Sequence, residues 1–149
     1  MDNYVWNMRK HAAAGICLII KKQNLKIMIT EVQQHQHITE KLIDNVPALW
    51  FTFNENLDAH TAKKMCEQWK KLSDRYIEPV LIIFDARKMK DYDPMSRIHF
   101  QKCMTEQKAN ISKIWVVTNS AKVKAGASIL GMFTSFTIKT VSDPDQIKV

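Results

Sequence analysis

The chain has 149 residues, 46% hydrophobic and 25% charged, a size and balance that suit one soluble globular domain and are too small for two comfortable cores. The formal net charge is +7, but Arg9, Lys10, Lys21, Lys22 and Lys26 against Asp2 alone put more than half of it before Met28. The remainder has no basic stripe interleaved with aromatics, which argues against a nucleic-acid partner. Cys17, Cys66 and Cys103 cannot all pair and form no Cys-x-x-Cys spacing, which argues against a disulfide framework or a zinc knuckle and for a reducing cytoplasm.

Residues 1–27 read as an extension before a domain at 28–149. The apolar run Ala12 to Ile20 falls short of the roughly 17 residues that a spanning helix needs. Lys21 and Lys22 follow where a signal peptide would carry small residues, so an uncleaved extension is expected. It is either an added strand or helix that docks on the domain or an upstream addition without a function of its own. Ile27 to Asn45 mixes strand-like content (Ile27 to Val32) with the helical spacing of Ile38, Leu42 and Ile43; a strand is the preferred reading.

Ala48 to Phe53 alternates, with Leu49, Phe51 and Phe53 on one face and Trp50 and Thr52 on the other, the period of a strand that starts at Pro47. Asn54, Glu55 and Asn56 predict a turn. Asp58 is a good N-cap for a helix whose stripe is Ala62, Met65, Cys66, Trp69 and Leu72, in steps of three and four. Lys63, Lys64, Lys70 and Lys71 fall on its solvated side.

Val80 to Asp85 is a continuous apolar run introduced by Pro79, a central strand buried on both faces. A polar, exposed loop is expected from Ala86 to Asp93. There the carboxylate of Asp93 caps a helix that carries Pro94 at its first position, where a missing N–H costs nothing. That helix should run to about Lys108, on a ragged stripe of Met95, Ile98, Cys103 and Met104 with His99 and Phe100 between them. Ile114 to Thr118 is the next buried strand. Asn119 and Ser120 cap a helix from Ala121 to Phe133 with Val123, Ala127, Leu130 and Phe133 apolar, and Gly131 either ends it or lets it pack closely. Phe136 to Val141 alternates as the last strand, and Asp143 and Pro144 open a final turn. Strands alternating with helices over short links predict an α/β fold. Its sheet is mixed but mostly parallel, with four or five strands, three main helices and right-handed crossovers. The first two strands are free to pair antiparallel.

Three segments carry a family resemblance. Leu57-Asp58-Ala59-His60-Thr61-Ala62, Ile83-Phe84-Asp85 with Met89 and Asp93 after it, and Val123 through Gly131 to Phe136 resemble, in order and spacing, the STAS domain of anti-sigma factor antagonists. That domain also occurs in sulfate transporters and lipid-transport complexes. The likeness covers Leu49 to about Gln146. It implies a non-catalytic regulatory module without a cofactor, whose partner is a regulatory kinase, an anti-sigma factor or a transporter component. Its expected partner surface is Asp91, Tyr92, Asp93, Met95, Ser96 and His99. In the antagonists the Asp matched by Asp93 is followed by Ser, a phosphorylated Ser or Thr, and Gly; here those places hold Pro94, Met95 and Ser96. Met95 has no oxygen to receive phosphate, so the family's usual switch is not expected. Ser96, one place along in the first helical turn, is either a displaced acceptor or a local hydrogen-bonding residue.

Other chemistry is sparse. His35 and His37 lack a third ligand in reach, so no metal site is expected. Asp85, Asp91 and Asp93 have structural explanations, and no nucleophile stands at a spacing from a base. Gly15, Gly126 and Gly131 form no phosphate-binding loop. One ligand reading stands beside the partner surface: Arg87, Lys88 and Lys90 in the loop, with Lys122 and Lys124 at the start of the third helix, would share the carboxyl edge of the sheet and attract a small anion such as a nucleotide or lipid head group.

Overall fold

The computed structural model describes residues 36–149. Two strands open this region, β1 at Gln36–Ile43 and β2 at Val46–Leu57, paired antiparallel from Gln36↔Phe53 to Ile43↔Val46. Asp44 and Asn45 join them with φ of 48° and 66°, the tight two-residue turn whose twist matches that of the strands. Ile38, Leu42 and Ile43 therefore lie in a strand, while the strand-like run Ile27 to Val32, like the expected domain start at Met28, is outside the described residues.

Helix α1 spans Ala59–Ser73, β3 Val80–Tyr92, α2 Pro94–Glu106, β4 Ile111–Val117, α3 Ala121–Thr134 and β5 Ile138–Val141. The sheet runs β1-β2-β3-β4-β5 in space, with every pair after the first parallel. Strictly sequential order with right-handed crossovers places successive helices on the same face. Accordingly, every buried apolar side chain of α1, α2 and α3 belongs to one cluster with Leu49, Phe51, Phe53, Ile82, Phe84, Ile114 and Val116. The opposite face carries Ala48, Trp50, Leu81, Ile83, Trp115 and Val117, with Ile147 among them. Lys41 Nζ stands 3.9 Å from the Trp50 ring centre and Lys139 Nζ 5.2 Å from that of Trp115, so long basic side chains lie over both indoles.

The main core is aromatic at its centre. Phe51 meets Trp69 and Phe84 edge to face at 5.1 and 4.9 Å, and Phe100 joins them from α2 at 5.6 Å from Phe84. Trp69 is fully enclosed, and truncation of such a residue to alanine typically costs about 3–5 kcal/mol.

All three predicted caps form. Asp58 accepts from the Thr61 amide and hydroxyl, both at 2.8 Å, bonds that hold its pKa below the usual value. Asp93 accepts from the Met95 amide at 2.8 Å with Pro94 at the helix start, and Ser120 accepts from the Val123 amide at 3.3 Å. At the other end of α3, Gly131 allows close approach: a Cβ there would stand 2.9 Å from the Phe136 carbonyl oxygen. The helix itself stops at Ser135, whose φ is 58°.

The largest departure from the predicted elements is at β2 and β3. The expected turn at Asn54 to Asn56 and the expected loop from Ala86 as far as Tyr92 are instead strand, paired from Asn54↔Lys88 to Leu57↔Tyr92 across two irregularities. Glu55, with φ of 55°, takes up one of them in the manner of a bulge. Polar composition suggested loops, but each segment finds its backbone partners in the other. The Gln36 side-chain amide adds hydrogen bonds to the Asn54 and Asn56 carbonyls at 3.1 and 2.9 Å. A second departure concerns Phe133, read as part of the α3 stripe but 64% exposed; Leu130 is only half-buried.

Candidate functional site

β3 pairs with β4 only as far as Asp85↔Val117, whereas β2 and β3 run on together to Leu57 and Tyr92. A two-stranded arm thus projects past the carboxyl edge of the sheet and delivers its ends to the starts of α1 and α2. Leu57 ties them together. Its carbonyl accepts from the Asp93 amide at 2.9 Å and from the Ser96 hydroxyl at 3.0 Å.

Ser96 is therefore fully buried and faces inward. Its hydroxyl serves the fold, and a kinase reaches it only if the start of α2 opens. The other residues of the expected surface are more accessible. Asp91, Asp93 and Met95 are exposed, and Tyr92 and His99 are half-buried. Met95 and Ile98, three apart on α2, leave 48% and 45% of their surface in solvent. Spacing of three places side chains on one side of a helix, so α2 has an inner face of Ser96, Phe100, Cys103 and Met104 and an outer flank that is also partly apolar. This explains the ragged stripe.

The five basic residues of the expected anion site are brought to one edge but largely neutralised there. Arg87 grips Asp85 with two bonds, from Nε at 2.9 Å and Nη2 at 2.7 Å. Burial raises the Asp85 pKa, yet the bonds from Arg87 outweigh it and the net shift is downward. Lys90 pairs with Glu55 at 2.5 Å. Lys122 of α3 pairs with Asp91 of β3, which lowers the carboxyl pKa and raises that of the amine. Lys88 and Lys124 are exposed and form no ion pair among the described residues. None of Asp85, Asp91 and Asp93 is left as a free acid or base: the first two are ion-paired and the third caps α2. His37 lies in β1 and His35 outside the described residues; among those residues no three His, Cys, Asp or Glu gather as a metal site would require.

An element that spacing did not disclose lies beneath the arm. A cavity of about 70 Å³ opens between β3, α2 and α3, walled by Phe53, Leu57, Phe84, Met89, Phe100 and Leu130 among other apolar residues. Tyr92 lies across α3 at Gly126, where a Cβ would come within 2.6 Å of the phenol oxygen. Lys122 Nζ is 5.6 Å from the centre of the same ring. A glycine in mid-helix costs about 1 kcal/mol relative to alanine, and its place here is explained by the ring that rests on it.

No family model matches the chain, and no curated protein matches it by sequence. Among solved structures, an uncharacterized DUF3478-family protein with a SpoIIAA-like fold from Shewanella loihica PV-4 matches with a TM-score of 0.62. The match covers 74% of this chain and 89% of that one, at 11% identity. The fold is SpoIIAA-like. The STAS-like architecture expected from Leu57 to Ala62, Ile83 to Asp93 and Val123 to Phe136 is thus present, with five strands and three helices among the described residues. In this SpoIIAA-like frame the start of α2 holds exposed Met95 and buried Ser96.

Proposed function

We propose that the chain is a non-catalytic, STAS-like regulatory module that acts in the cytoplasm by binding a protein partner. It does so through the outer flank of α2 and the end of the β3 arm, without a phospho-switch. The observation that carries the reading is the pair Met95 and Ile98, half in solvent on one flank of α2, beside Tyr92, Asp93 and His99. Apolar side chains held on a rigid, capped helix lose little entropy when a partner covers them. The residue types support a constitutive surface, since Met95 accepts no phosphate and the Ser96 hydroxyl is engaged by Leu57. The free, buried thiols of Cys66 and Cys103 fit a reducing compartment.

The reading is tested by affinity capture from lysate with the native chain, Met95→Asp, Ile98→Asp and Met132→Asp. Met132 is 79% exposed at the far end of α3 and serves as the control. A protein retained by the native chain and the control but lost with both α2 variants is the expected result. Retention that is indifferent to the α2 substitutions, or lost equally with the control, rules this surface out.

A further inference from the structure

We propose that the cavity beneath Tyr92 is a binding site for an aliphatic carboxylate, with the tail inside and the carboxylate on Arg97. The walls are the first ground. Phe53, Leu57, Phe84, Val116, Val123 and Leu130 surround the space, and the Ser96 hydroxyl, its one neutral side-chain donor apart from the Tyr92 phenol, is already bonded to the Leu57 carbonyl. Water needs two to four polar partners to be held in a cavity, and apolar cavities stay dry and take apolar guests.

The second ground is Arg97, the one charged residue of the lining, whose stem joins an almost wholly apolar wall while its guanidinium stays outside the tail space. It is half-buried and has no ion-pair partner among the described residues, although Arg87, Lys90 and Lys122 nearby in the fold all have one. A guanidinium matches a carboxylate with two parallel bonds. The third ground is the lid. Tyr92 ends the arm and is half-buried: its ring rests on buried Gly126 and against the main core, and its contact with the exposed Lys122 lies at the surface, so a guest enters by displacing this ring. A cavity of about 70 Å³ is roughly half the size of one that accepts benzene, so it takes the end of a chain and not a whole lipid.

The proposal does not rest on the protein-binding reading, although Tyr92 belongs to both sites. Titration calorimetry of the full chain with butanoate, hexanoate, octanoate and 1-octanol tests it. Affinity is expected to rise by roughly fourfold for each methylene that enters the cavity, and octanoate should exceed octanol by about tenfold, as a charge-assisted bond implies. Ala127→Leu, which fills the space from α3, should abolish octanoate binding, and Arg97→Gln should reduce it to the level of octanol. Ala86→Val fills the same space from β3 if Ala127→Leu does not fold. No saturable binding of octanoate, or binding unchanged by the filling variant, overturns the site. Binding that is equal for octanoate and octanol in the native chain overturns the role of Arg97 and with it the ligand class.

Discussion

Replacing Ser96 is the most direct way to separate a structural hydroxyl from a concealed phosphoacceptor. Ser96→Ala removes the 3.0 Å bond to the Leu57 carbonyl, but that oxygen keeps the Asp93 amide at 2.9 Å. No acceptor is orphaned, and the loss should be near 1 kcal/mol. Ser96→Asp differs in kind. It sets an ionised carboxylate at a position with no solvent exposure, facing an oxygen that cannot donate to it. Uncompensated buried charges cost about 3–5 kcal/mol, a large part of the 5–15 kcal/mol that holds a typical domain. With an m-value of about 1–3 kcal/mol/M in urea, the alanine variant should shift the midpoint by roughly 0.5 M and the aspartate variant by roughly 2 M. Burial disfavours the charged form, so the folded-state pKa of the introduced Asp lies above its unfolded value. The sign follows: the penalty is greatest at neutral pH, and the aspartate variant approaches the alanine variant as the pH falls below the unfolded value of about 3.9. If Ser96→Asp melts within about 0.5 kcal/mol of Ser96→Ala at neutral pH, the start of α2 admits charge freely and burial does not protect Ser96 from phosphorylation.

Two further outcomes are expected. The depressed pKa of Asp85 means that its pairing with Arg87 stabilises the fold above the unfolded carboxylate value of about 3.9 and is lost as the pH falls through the lower folded value. Urea titrations at neutral and acid pH should therefore show less acid sensitivity in Arg87→Gln than in the native chain, with Asp58, Asp91 and Glu106, also depressed, common to both; equal slopes would refute the assignment. Cys66 donates to the His99 carbonyl at 3.6 Å and Cys103 to that of Cys66 at 3.8 Å. The Cys103 thiol and burial push the Cys66 pKa far up. In a Cys17→Ser background neither thiol should react with a disulfide reagent faster than the domain unfolds, and rapid native-state labelling would contradict this.

Much of the molecule was legible in one dimension because the information is local. Asp58, Asp93 and Ser120 cap helices through bonds to residues two or three places on, and the alternation of Leu49, Phe51 and Phe53 against Trp50 follows from the period of an extended chain. Order of elements and right-handed crossovers also implied a mostly parallel sheet, whereas the gathering of all three helices on one face follows from the sequential strand order in space. What only the tertiary structure decided depends on pairs far apart in the chain. Asn54 to Asn56 read as a turn and Ala86 to Asp93 as a loop, since polar residues say nothing of a backbone partner more than thirty positions away. Their mutual hydrogen bonds made them an arm. Ser96 looked like a surface residue of a first helical turn until the Leu57 carbonyl, brought by that arm, claimed its hydroxyl. Lys122, read as part of an anion site, is instead paired with Asp91. The cavity has no sequence signature at all, because its walls come from β2, β3, β4, α2 and α3, and an empty volume is a property of how side chains fail to meet. Gly126, too, shows its purpose only in the fold, where its missing side chain makes room for the Tyr92 ring.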